Sequence, residues 1–273
     1  MHSFNSLRRH LAMALPTKLR KYDMNRTVPF GLMFVCLLTV TTAVSQATVL
    51  NPGFESGDFT AWSTIGQTTV EGTLHDGPSE GSFQALITND GASVSPTDVA
   101  NFAGVTVAAL EPLSVGAGGA TNLFSSGEGS AIKQSITVNA GDTLSFDWQF
   151  LTNEGVGSSN FSDFAFVVID GVPTKLVDIN DLGLFGGSGS PFNNETEFNT
   201  FTHVMAGAGT FDLVIGIGDQ GDTLNGNNSH LLLDNFRLTT TAIPEPASLG
   251  LLAMGSLILL RRSNKQRTRP VAA

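Results

Sequence analysis

The stretch TLSFDWQF, residues 143–150, alternates without a break. Leu144, Phe146, Trp148 and Phe150 fall on one side of an extended chain, and Ser145, Asp147 and Gln149 on the other. Successive side chains of a strand point to opposite faces, so a period of two predicts a strand with one apolar and one polar face. AIKQSITV and TFDLVIGIG repeat the pattern, the second with Phe211, Leu213, Ile215 and Ile217 on its apolar side. DFAFVVID is apolar on both faces, as a strand covered on both sides must be. SFQALIT, PTKLVDI, FNTFTHVM and HLLLDNFRL complete a set of short segments separated by Gly, Asn, Asp and Ser. Short strands with no strong helical period predict an all-β domain, a two-sheet β-sandwich of the jelly-roll type. One stretch fits less well: DVANFAGVTVAALEPL, residues 98–113, reads as a short helix or an Ω-type loop.

Charge divides the chain into three parts. Residues 48–241 carry 22 Asp and Glu against Lys133, Lys175 and Arg237, a net charge of −19, whereas residues 1–47 and 261–273 are basic. Nucleic acid is excluded as a partner for such a body, because phosphates are bound by neutralising them with Lys and Arg. The 1–47 region reads as an N-terminal signal: Arg26, an apolar run from Val28 to Val44, then Ser45-Gln46-Ala47, with cleavage expected between Ala47 and Thr48. A retained anchor is the other reading of this segment, and either Met1 or Met24 could be its start. Cys36 is the only cysteine and lies in that region, so the body can form no disulfide of its own and no thiol nucleophile.

The 242–273 region has a different order. Pro244-Glu245-Pro246 precede a 14-residue apolar or small run, Ala247–Leu260, and Arg261 and Arg262 open a basic tail. As a helix this run would be about 21 Å long at about 1.5 Å per residue, a short transmembrane span beside a hydrocarbon core roughly 30 Å thick. The basic residues behind it would hold the C-terminus on the cytoplasmic side. IPEPASLGLLAMGSLILLRR resembles the PEP-CTERM sorting signal: Pro-Glu-Pro, a short apolar helix, an Arg cluster. That resemblance implies an exosortase as processing partner, an inner-membrane intermediate, and delivery to the surface of a bacterium that makes extracellular polysaccharide or biofilm.

Two motifs lie at opposite ends of the 48–241 ectodomain. VLNPGFESGDFTAW, residues 49–62, resembles the opening of galactose-binding-like and carbohydrate-binding modules, and LLLDNFRL, residues 231–238, resembles their closing strand. The resemblance implies a jelly roll and a structural ion joining these two segments. Carried over by position, its acidic ligands are Glu55 and Asp234. Oxygen donors and the large negative charge of the body suit Ca2+. Capping of turns by the two carboxylates is the competing reading. GDQGDTLNGNN, residues 218–228, lacks the order of an EF-hand loop and reads as a hairpin connection.

Catalysis has little to stand on. His75, His203 and His230 have no metal-ligand spacing, and no G-x-S-x-G elbow is present. A glycosidase pair is defined in space, so 22 acids leave it open. The expectation is a non-catalytic, exported cell-surface or matrix protein, with a carbohydrate-binding module recognising extracellular polysaccharide as the alternative. Sugar faces commonly stack on exposed flat aromatics. The body has no tyrosine, and its two tryptophans, Trp62 and Trp148, both read as core.

Overall fold

The computed structural model describes residues 48–114, 124, 127–157, 162–188, 191–220, 228–240 and 255–256. Two antiparallel sheets packed face to face form the body. The strands are β1 (Ser63–Ile65), β2 (Gln67–Glu71), β3 (Gln84–Thr88), β4 (Gly129–Val138), β5 (Thr143–Thr152), β6 (Phe164–Ile169), β7 (Val172–Asp178), β8 (Phe185–Gly187), β9 (Asn194–Thr196), β10 (Asn199–Val204), β11 (Gly209–Gly218) and β12 (Ser229–Thr239). The five-stranded sheet runs β1-β4-β11-β6-β7. The seven-stranded sheet runs β2-β3-β12-β5-β9-β8, with β10 also paired to β5.

The alternation builds the core. Leu144, Phe146, Trp148 and Phe150 of β5 meet Ile132 and Ile136 of β4, Ala165, Val167 and Ile169 of β6, and Leu213, Ile215 and Ile217 of β11 between the sheets. Each fully buried side chain of this size contributes roughly 1.5–3 kcal/mol. The other face of β6 is buried too. Phe164, Phe166 and Val168 lie beneath α1 (Pro96–Ala103) and α2 (Val107–Leu110), with Val99, Ala100, Ala103 and Leu110 against them. That cover explains a strand apolar on both sides. It requires glycine in the neighbouring β11, because a Cβ on Gly216 or Gly218 would stand 2.7 Å from the Phe166 ring or 2.6 Å from the Phe164 ring.

The ambiguous 98–113 stretch is therefore helical. Ser95 caps α1 by accepting from the Asp98 N–H, Pro96 opens it, and Gly104 ends it in the left-handed region. Trp62 and Trp148 are both buried, 7% and 6% exposed. Trp62 packs with Phe54 and Phe236 at centroid distances of 5.6 and 5.0 Å, closing one edge of the sandwich.

One part of the expected architecture is overturned. Among the described residues no helix is long and apolar enough to cross a membrane. The physical reason lies in the length of the 247–260 run, about 21 Å as a helix against a hydrocarbon core of roughly 30 Å. Of that run only Gly255 and Ser256 are described. Ala47, Pro244, Glu245, Pro246, Arg261 and Arg262 lie outside the described residues, and Thr48 is the first residue within them.

Candidate functional site

Two features stand on the outer face of the seven-stranded sheet. The first joins the two motifs that bracket the body. β12 bulges between Asp234 and Arg237, with Asn235 at a φ of 56° between them. The Phe236 N–H donates to the Pro52 carbonyl at 2.9 Å, tying the last strand to the opening segment. This places Glu55 and Asp234 beside one another. A Cβ on Gly53 would stand 3.4 Å from Asp234 Oδ1, 3.5 Å from Glu80 Oε2 and 3.6 Å from Glu55 Cγ, so three carboxylate side chains converge on that glycine. Asp147 borders them: Ser79 Oγ donates at 3.1 Å to Asp147 Oδ2 and at 3.1 Å to Asp234 Oδ2.

Both predicted acids cap backbone. Glu55 Oε1 accepts from the N–H groups of Ser82 (2.8 Å) and Phe83 (3.0 Å). Asp234 Oδ2 accepts from the Glu80 N–H at 2.7 Å, and its Oδ1 from the Asn235 N–H at 2.6 Å. Burial pushes the Asp234 carboxyl above the ordinary carboxylate range, opposed by these hydrogen bonds. No ion pair to Glu55, Glu80, Asp147 or Asp234 is found among the described residues. The carboxylate oxygens suit a hard cation in charge and chemistry. Among the described residues no group of three or more His, Cys, Asp or Glu side chains is already arranged to hold a metal.

The second feature is a mixed polar and apolar floor covered by a loop. Residues 72–83 join β2 to β3 as a long strap over β12 and β5 that reaches β9. His75 Nδ1 stands 3.2 Å from Glu195 Oε2, and Leu74 packs on Leu86, Leu151, Leu232 and Phe192. Beneath it are polar side chains that the alternation alone would place in solvent. Gln84 is 0% exposed and Gln149 3%. Gln84 Nε2 donates to Glu71 Oε1 at 2.7 Å, and Gln149 Nε2 donates to the Thr196 carbonyl at 2.8 Å. Those partners accept only, which fixes each amide's orientation. The two Oε1 atoms are left without a donor, as is His230 Nδ1 on the same face. Burial keeps the His230 imidazole neutral down to a pKa of about 4, although Asp90 draws it upward. Phe192 stands edge-on to that ring at 4.4 Å.

Neither Gln84, Gln149 nor His230 stood out in the sequence as a binding residue. The only signal would have been a glutamine at a polar position of β3 and of β5, the two strands that flank β12, which ordinarily marks a solvated face.

The class defined by these features is a two-sheet β-sandwich with one sheet face strapped by a loop. Solved structures similar to it include the carbohydrate-binding module TmCBM61 in complex with β-1,4-galactotriose, at 12% identity and a TM-score of 0.37, covering 72% of this chain and 100% of that one. A carbohydrate-binding module specific for non-crystalline cellulose matches at 11% identity and a TM-score of 0.37, covering 71% and 94%. The K2 cleaved adhesin domain of Lys-gingipain matches at 13% and 0.36, covering 70% and 97%. No protein-family model matches the chain, and no curated protein matches it. The PEP-CTERM assignment is accordingly corrected. Its motif spans about 20 residues of simple composition, no family model carries it, and the membrane helix it requires is not found among the described residues. No helix among the described residues supports the expected membrane anchor or the exosortase partner.

Proposed function

We propose that this chain is a non-catalytic, exported protein that binds neutral polysaccharide through the outer face of the seven-stranded sheet. One observation carries the reading: Gln84 Oε1 and Gln149 Oε1 are two acceptors on that face without donors, with His230 Nδ1 a third polar atom there without a partner, beside the apolar Leu86, Leu151, Leu232 and Phe192. A sugar brings what this surface lacks, hydroxyl donors around an apolar ring face. A buried acceptor that gains a donor recovers a desolvation cost of about 1–3 kcal/mol. The net charge of −19 on the body opposes binding of anionic chains and favours neutral ones. Glu55 of the opening segment and Asp234 of the closing strand, beside Gly53, are read as structural, with a calcium ion among Glu55, Glu80 and Asp234 as a further proposal.

A screen of the purified protein against immobilised glycans tests the reading. Saturable binding to neutral glycans, competed by the soluble polymer, is expected. Binding to none of them, or to acidic glycans only, would contradict it.

A further inference from the structure

We infer that the strap over residues 72–83 is a gate, which must lift before a hydroxyl-rich chain can reach Gln84 and Gln149. The inference rests on the polysaccharide reading above and adds a conformational step to it. Its premise is steric: Gln84 and Gln149 are 0% and 3% exposed, too buried for a ligand to touch in this conformation.

The strap is built to move as a unit. Its two ends nearly meet, since a Cβ on Gly72 would stand 2.4 Å from the Ser82 carbonyl oxygen, which is the closed neck of an Ω-loop. Within it, Gly77 and Gly81 take positive φ values of 84° and 71°. The tip is latched by His75, whose Nε2 and Nδ1 stand 3.2 Å from Asp76 Oδ2 and 3.2 Å from Glu195 Oε2. Glu195 also accepts from Ser188 Oγ at 2.6 Å. Along its length the strap is held by carboxylates of the sheet and the opening segment. Glu71 Oε2 accepts from the Thr73 and Leu74 N–H groups at 2.7 and 2.6 Å, and Asp234 and Glu55 accept from Ser79, Glu80, Ser82 and Phe83.

Leu74 is the single side chain between the neck and Phe83 that packs on the apolar floor. Hydrogen bonds and ion pairs of this kind exchange for water at small net cost, so the cost of lifting the loop lies mainly in exposing Leu74 and the apolar floor beneath it. Segments held this way sit at the low end of local stability. Opening also lets water or a ligand hydroxyl reach the unpartnered Oε1 atoms. Closed, the gate reduces apparent affinity by the fraction of time it is open.

The test measures amide hydrogen exchange of the full chain, with affinity gel electrophoresis in hydroxyethylcellulose, β-1,4-galactan and dextran. In the wild type, the amides of Thr73, Leu74, Glu80, Ser82 and Phe83 should exchange through an opening that leaves β5 and β12 protected. His75→Ala and Glu195→Gln should accelerate that exchange and tighten binding to the retained polymer, roughly 3–10-fold if the gate is open less than a tenth of the time. Strap amides that exchange only together with β5 and β12 would overturn the gate, whatever the polymers do. Faster strap exchange in both variants with unchanged affinity for a bound polymer would overturn it as well, leaving the polysaccharide reading intact. Local strap opening with no polymer bound by wild type or variants would instead sink the polysaccharide reading, and the gate's ligand with it.

Discussion

Glu55 and Asp234, from opposite ends of the body, grip the same short segment. Glu55 takes the N–H groups of Ser82 and Phe83, and Asp234 takes the Glu80 N–H and the Ser79 hydroxyl. Gly81 lies between these contacts with a φ of 71°, and a Cβ there would collide with Glu55 Oε1 at 2.2 Å. Removing Asp234 takes the acceptor from the part-buried Glu80 and Asn235 N–H groups, while Ser79 Oγ keeps Asp147. Asp234→Ala should cost about 2–4 kcal/mol, more than Asp234→Asn, which keeps one acceptor oxygen. At about 2–4 °C per kcal/mol for a domain of this size, the alanine variant should melt roughly 5–15 °C lower. Thermal denaturation followed by circular dichroism reads the difference.

A calcium ion at this place would bind the native state and not the unfolded chain. A hundredfold excess over Kd would then contribute about 2.7 kcal/mol, and the melting temperature should rise roughly 5–10 °C. Glu55→Gln and Asp234→Asn should each lose most of that gain. Equal stabilisation by calcium, magnesium and added salt, in wild type and both variants, would mean screening of the acidic body and no ion site.

The edge of the sandwich rests on three rings. Phe54, Trp62 and Phe236 meet pairwise at 5.6, 6.0 and 5.0 Å, and the Trp62 indole N–H donates to the Leu50 carbonyl at 3.1 Å. Trp62→Ala should destabilise by about 3–5 kcal/mol through lost burial and the cavity left behind. Trp62→Phe should cost less, since it keeps a ring and loses the indole hydrogen bond. Urea denaturation of the two variants, compared at unchanged m-value, separates them.

How far the sequence carries is clear from these residues. The strands of the inter-sheet core announce themselves by alternation, because one face is buried and the other was assigned to water. β1 and β2 do not: STIGQTTVE is polar and exposed along most of its length, so burial imposes no pattern on it. β8 and β9 are three residues each, too short for a period. Glu55 and Asp234 were legible because a motif surrounds each of them. Glu80 was not, since HDGPSEGS reads as an ordinary loop, and nothing local says that it crosses the sheet. The same loop hides Gln84 and Gln149. Alternation put Gln149 on the polar face correctly, but whether that face meets water depends on a segment folded over it from elsewhere in the chain.

His230 makes stability depend on pH. Its folded pKa of about 4 lies below the ordinary histidine value of 6.5, so the unfolded chain binds the proton first as pH falls. The stability it contributes is complete above pH 6.5 and is lost progressively toward pH 4. The slope is no more than about 1.4 kcal/mol per pH unit. His230→Leu should flatten that limb. A wild-type stability that is level between pH 6.5 and 4, in urea titrations at several pH values, would contradict the burial of a neutral imidazole.

The central claim is that unpartnered acceptors on the seven-stranded sheet receive sugar hydroxyls. Gln149→Leu tests it most directly, because it keeps the volume of the side chain and deletes the acceptor at Oε1. The substitution also removes the Nε2 donor to the Thr196 carbonyl, a buried hydrogen bond, so the variant should lose about 1–3 kcal/mol and melt lower by roughly 2–12 °C while remaining folded. Isothermal titration of wild type and variant, below both melting transitions, with the polysaccharide retained in the glycan screen gives the answer. The account predicts an affinity at least tenfold weaker in folded Gln149→Leu. An unchanged affinity in a variant that folds as the wild type does would contradict it.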